Sequence, residues 1–124
     1  MSSVELRPAT RADVDALIAE PLPFRIKAWA AEHDGKLLGI GGLAFPPSGA
    51  VMAFVHVAPG AHRFKVAFHR AGLMAMAEAK RMGLRRVVAT AESEHPRATA
   101  WLARLGFAPE LVDGVTVWIW KGGA

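Results

Sequence analysis

The sequence predicts an α/β domain of the α+β kind, with helices flanking a mixed, mostly antiparallel, twisted sheet. Three observations carry that prediction. The first half sets short apolar runs between tight-turn signals, the pattern of strands joined by hairpins. A long central segment repeats apolar residues at spacings of three and four, the mark of one buried helix face. The second half then alternates strand-like and helix-like stretches, so a crossover helix and a parallel strand pair belong in the sheet.

In chain order, residues 4–7 alternate apolar and polar side chains as an outer strand does. Pro8 and Ala9 break the run. Thr10 follows as a helix N-cap, and Asp13 three residues on makes an imperfect capping box, where the usual partner is Glu or Gln. Val14, Leu17 and Ile18 share one face of a short helix, which Pro21 and Pro23 stop. Residues 27–33 form a strand, Asp34-Gly35 a two-residue hairpin turn, and residues 36–45 the return strand. Gly39, Gly41 and Gly42 in that strand point to a bulge or to a close approach of other backbone. Pro46 to Gly49 is a turn. Residues 51–57 are nearly all apolar, as in a strand buried on both faces, and Pro59-Gly60 ends it.

Phe64, Phe68, Gly72, Ala75, Ala79 and Met82 then define a helix face whose middle is small enough to lie close against a sheet. Met74 and Met76 flank it as packing residues. Gly83 suits the helix C-terminus. Residues 86–90 form another strand, and His95 or Pro96 opens a last helix running to Arg104 and ending at Gly106. Phe107 and residues 115–120, with a turn at Asp113-Gly114, supply the final strand. The expected order is β-α-β-β-β-α-β-α-β in one domain spanning residues 1–124.

Composition narrows the function classes. A chain of 124 residues that is 52% hydrophobic supports one core and excludes disorder. No apolar run reaches the length of a membrane-spanning helix, and the polar start, with Glu5 and Arg7, is not a signal peptide. The absence of cysteine removes disulfides, thiolate ligands and thiol nucleophiles, which suits a cytoplasmic location. The net charge of +4 is unevenly placed: residues 58–104 carry nine lysines and arginines against Glu78, Glu92 and Glu94, and the remainder is net acidic. Such a bias fits either an anionic partner or a solvated helix face, the latter being the simpler reading.

The element order and its punctuation resemble the GNAT (GCN5-related N-acetyltransferase) superfamily over nearly the whole chain. The most specific local match is Ala98-Thr99-Ala100-Trp101-Leu102-Ala103-Arg104-Leu105-Gly106-Phe107, which is similar to the family's last-helix motif. The opening from Glu5 to Asp13 is similar to its first strand and helix start. The resemblance implies an acyl-CoA N-acyltransferase fold and an acetyl-CoA or other acyl-CoA co-substrate. It also implies an amine acceptor, small molecule or protein. In the family, a turn of the form Gln/Arg-x-x-Gly-x-Gly/Ala aims helix N-terminal amides at the pyrophosphate. The matching positions here are His62, Lys65 and Ala67, so the small residue is kept and the central glycine is a lysine. His62, Arg63, Phe64, Lys65, Val66 and Ala67 are thus the implied cofactor-binding turn. Val55 and Val57, on either side of His56, would line one wall of the pantetheine channel, with residues 88–91 as the other. An ordinary buried strand pair is the alternative.

Direct attack of an amine on a thioester needs a base, and the family often adds a tyrosine to protonate the leaving thiolate. The chain has no tyrosine, and Leu102 stands at that position beside the cofactor. His56 is the titratable residue of the central strand, read either as base or as a histidine satisfied in the core. Glu92 is a base acting through water or, like Glu94, a solvated carboxylate. His95 stands where many members carry an asparagine. His62 and His69, seven apart, make no metal site without further ligands, and no metal is expected. Trp118 and Trp120 alternate on one strand face as core or homodimer packing. Lys80-Arg81 and Arg85-Arg86 bracket a helix end, where cations are favourable anyway, so nucleic acid is not the expected partner. The last thirty or so residues also resemble small GNAT-like proteins of short-tailed phages, some of them virion or assembly components. That resemblance implies the rival reading, a non-catalytic interaction protein on the same fold.

Overall fold

The computed structural model of the chain describes residues 4–18, 25–61, 64–89 and 96–122, with side chains in the last segment from Thr99 onward. The described elements are β1 (Glu5–Pro8), α1 (Arg11–Leu17), β2 (Arg25–His33), β3 (Lys36–Phe45), β4 (Met52–Val57), α2 (Lys65–Arg81), β5 (Arg86–Ala89), α3 (Pro96–Arg104), β6 (Ala108–Val112) and β7 (Val115–Lys121). One sheet holds the seven strands in the order β1-β2-β3-β4-β5-β7-β6. Its pairs are antiparallel except β4 with β5, the parallel step that the crossover through α2 demands.

Two chemically identical turns build the hairpins. Asp34 and Gly35 have φ of 51° and 76°, and Asp113 and Gly114 have 51° and 80°. Both central residues lie in the left-handed region, as the tightest hairpin turns require, and an aspartate followed by glycine enters it at low cost. The second turn falls at Asp113-Gly114 as expected, but the expected order counted one strand there: residues 108–112 form a strand of their own, and the end of the sheet is a hairpin with Val112 paired to Val115.

Side-chain alternation sorts the core onto both faces of the sheet. Val14, Ala30 and Ile40 are buried under α1 with Phe54 and Ile18 beside them. On the opposite face Leu43, Met76, Ala79, Val87, Leu102, Leu105 and Phe107 pack α2 and α3 onto the sheet. Met76 is thus a core residue, whereas Met74 stays exposed. Helix α2 buries Ala67, Ala71, Ala75, Met76 and Ala79, a face of small side chains that lets the helix axis approach the strands. Gly39 serves the same approach: a Cβ there would stand 2.7 Å from both Phe68 Cε1 and His56 O. The register also shifts between Ala31 and Glu32, where Leu38 falls between the paired residues Gly39 and Leu37. Both readings of the glycine-rich strand, bulge and close approach, therefore hold within two residues of each other. Trp118 and Trp120 pack against the main core, so core packing explains them. Among the described residues no helix is long and apolar enough to cross a membrane.

Candidate functional site

At the junction from β4 into α2, the described residues form a single rung between β4 and β5. Antiparallel strands turn alternate residues toward each neighbour. The Ala58 N–H donates to Leu38 O at 2.8 Å, so even-numbered residues of β4 face β3. The Val88 N–H donates to Val51 O at 2.9 Å, so odd-numbered ones face β5. Val55 and Val57 therefore aim their main-chain groups toward β5, above the one rung that the described residues form, Met52 opposite Val88. Residues 90–95, which carry the rest of the expected second wall together with Glu92 and His95, lie outside the described residues. On the wall that is described, Val88 is half-buried and Ala89 buried.

The exposure of β4 corrects the expectation of a central strand buried on both faces. No residue of β4 is buried, Val55 is 38% exposed, and His56 is exposed as well. Coverage is partial: α2 packs mainly over β3 and β2, and Ala53, Phe54 and Val57 of β4 reach the neighbouring clusters only as half-buried side chains. An apolar run reports what a strand can bury, not what lies above it. His56 is consequently not a histidine satisfied in the core. Its backbone pairs opposite Ile40, and its ring lies 6.1 Å from the Phe54 ring.

Helix α2 begins without a side-chain cap. Phe64 holds the N-cap position with φ −88° and ψ 45°, and its own N–H donates to Ala61 O at 3.1 Å. Its ring packs with Leu38, Ala61 and Phe68, and its centroid lies 5.2 Å from the His33 ring. The N–H groups of Lys65, Val66 and Ala67 have no intrahelical acceptor, because the first turn of any helix lacks one. Together with the helix dipole they form a positive, donor-rich end. Ala67 is buried and Lys65 and Val66 are exposed, Val66 at 76%. The substituted lysine is thus the first helical residue and stands in solvent. His62 and Arg63 lie outside the described residues.

Leu102 does not reach a cofactor surface. It is 7% exposed and belongs to the main core with Leu43, Val87 and Phe107. What α3 does present to α2 is Trp101, whose Nε1–H donates to His69 Nδ1 at 3.2 Å. Sequence spacing alone, which weighed His69 with His62 as a metal ligand and placed Trp101 in the last-helix motif, does not pair residues 32 positions apart. The small Gly72 on the same helix face is the available signal. Among the described residues no group of three His, Asp or Glu side chains could hold a metal ion.

Charged side chains elsewhere tie the scaffold together. Arg7 donates to Asp13 at 2.6 Å and to Glu32 at 2.9 Å. The Arg7 guanidinium, helped by hydrogen bonds from Thr10, holds the Asp13 carboxyl well below the usual carboxylate range. Glu78 on α2 accepts from Arg81 and, at 2.5 Å, from Lys27 on β2, which together bring its pKa down to about 2.

A mostly antiparallel sheet, one parallel step and an uncapped helix start beyond it define the acyl-CoA N-acyltransferase fold. The model of the acetyltransferase (GNAT) family matches residues 4–107, and the chain belongs to that family. Solved structures agree on the fold. The yncA protein of Salmonella typhimurium, with its cofactor acetyl-CoA, superposes with a TM-score of 0.72 at 18% identity, covering 97% of this chain and 94% of that one. A Bacillus subtilis acetyltransferase in complex with CoA gives 0.66 at 16% identity, covering 98% and 99%. The ribosomal-protein-S18-alanine N-acetyltransferase of Escherichia coli gives 0.74 at 12% identity, covering 98% and 96%. No curated protein matches the sequence at a meaningful level of similarity.

Proposed function

We propose that the chain transfers an acetyl or other acyl group from acyl-CoA to an amine by direct attack on the thioester. The observation that carries this reading is the meeting of two main-chain donor sets at one junction. One is the main chain of Val55 and Val57 facing the β5 side; the other is the uncapped first turn of α2. A pantetheine arm, which is a chain of amides, suits the first, and a diphosphate suits the second. Lys65, standing in solvent at the helix start, adds a mobile cation where glycine would give closer approach. In the adjoining sequence Arg63 adds positive charge and His62 a polar ring.

In the reaction, the amine nitrogen forms a bond to the thioester carbonyl carbon and the C–S bond breaks. A base takes the proton that the attacking nitrogen sheds. His56 fills that role on the exposed end of β4, with a water held by Glu92 as the second candidate and His95 near the start of α3 as a further polar contact. Without a tyrosine, the departing thiolate draws its proton from solvent. The acceptor is a small-molecule amine or a protein amine; the Escherichia coli neighbour, by its name, acts on the alanine of a ribosomal protein.

The buried Leu102, where the family often places a phenol, favours a second reading: a non-catalytic interaction protein that keeps the fold. Thiol release separates the two cleanly because the chain has no cysteine of its own. Incubation with acetyl-CoA and a panel of primary amines is expected to liberate free thiol in proportion to enzyme. Calorimetric binding of acetyl-CoA with no thiol release from any amine would support the interaction protein, and no heat at millimolar ligand would remove both cofactor roles.

A further inference from the structure

The seam between α2 and α3 has a built geometry that the transfer chemistry does not use. Trp101 Nε1–H donates to His69 Nδ1 at 3.2 Å across the two helices. One turn further along α2, Gly72 leaves a notch for the same partners: a Cβ there would stand 2.9 Å from Leu105 Cδ1 and 3.2 Å from Trp101 Cζ2. A half-buried indole N–H needs an acceptor, and His69 supplies it only while its Nδ1 is free of a proton. His69 lies four residues, about one turn, beyond Lys65, where the first-turn amides of the helix begin. The seam therefore lies within about one helical turn of the donor-rich end.

We propose that His69 and Trp101 are a positioning pair whose hydrogen bond, with the Gly72 notch, fixes α3 against the first turns of α2 and so sets acyl-CoA affinity. The proposal rests on the reading of the α2 start as the acyl-CoA site. Neither residue touches the reacting atoms. Asparagine retains an acceptor near the Nδ1 position, leucine does not, and phenylalanine at 101 keeps a ring without the donor.

The test is calorimetric titration of acetyl-CoA into full-length wild type, His69→Asn, His69→Leu and Trp101→Phe, each first shown by circular dichroism to melt cooperatively. His69→Leu and Trp101→Phe are expected to bind about fivefold more weakly, and His69→Asn to bind within about twofold of wild type. Unchanged affinity in His69→Leu and Trp101→Phe overturns the proposal, as does equal loss in His69→Asn. If wild type itself gives no heat, the cofactor reading fails, and the pair is judged by the amide resonances of Lys65, Val66 and Ala67. Shifts in His69→Leu that His69→Asn spares support the positioning role; resonances unmoved in both overturn it.

Discussion

The two helices that begin at Arg11 and at Lys65 start in opposite ways. At α1, Asp13 N–H donates to Thr10 Oγ1 at 3.3 Å, Thr10 N–H donates back to Asp13 Oδ2 at 2.7 Å, and Arg7 closes on the same carboxylate. At α2, Phe64 offers no polar side chain and the first turn is uncapped. Length explains why both survive. A seven-residue helix has little cooperative stability of its own and depends on its cap. A seventeen-residue helix with five buried side chains is held by packing and tolerates an uncapped start. The first start is consumed in holding β1, β2 and α1 together, while the second carries no side-chain cap and is the one proposed to meet a ligand.

That contrast can be broken from either side. The largest effect is expected at the open end of β4: His56→Ala should slow thiol release about a hundredfold while leaving acetyl-CoA binding intact by calorimetry. Unchanged turnover would hand the role of base to another residue. At the capped start, Asp13→Ala removes the box and strands Arg7 beside Glu32 alone, at a cost of about 2–3 kcal/mol in denaturant unfolding. Binding per folded molecule should not change. Lys65→Glu should separate the two roles of a helix start, weakening acetyl-CoA about tenfold with the melting temperature level or slightly higher. A fall in both together would mean that the α2 start is structural.

Acid should reveal the smallest difference. Asp13 and Glu78 both titrate below their ordinary range when folded, Asp13 chiefly through Arg7 and Glu78 chiefly through Arg81 and then Lys27. Lowered carboxylates mean that the unfolded chain binds protons more readily, so their stabilisation is complete above the ordinary carboxylate range and is lost as pH falls through it. For Glu78 that window runs from 4.5 down to about 2. The urea midpoint should therefore be level near neutrality and drop across that window, and Glu78→Gln should flatten part of the drop.

Much of the fold was legible because its signals are local. Asp34-Gly35 and Thr10-x-x-Asp13 state their geometry within four residues, and the capping box proves complete with aspartate in the glutamate place. The turn of the final hairpin was legible at Asp113-Gly114, but its first arm was not, because residues 108–112 are exposed throughout and carry Pro109, so they lack the alternation that marks a half-buried strand. The site was legible only along the chain. The turn after Pro59 could be found by position, but the exposure of β4 depends on where the helices lie over the sheet, and the His69–Trp101 bond depends on how two helices meet. Neither is encoded in a short window.

The most direct test is an NMR titration of ¹⁵N-labelled protein with acetyl-CoA, reading both helix starts in one experiment. The amides of Lys65, Val66 and Ala67 should move progressively to saturation while those of Ala12, Asp13 and Val14 stay in place. Movement of neither set, or of the α1 amides instead, would contradict an acyl-CoA site at the uncapped helix.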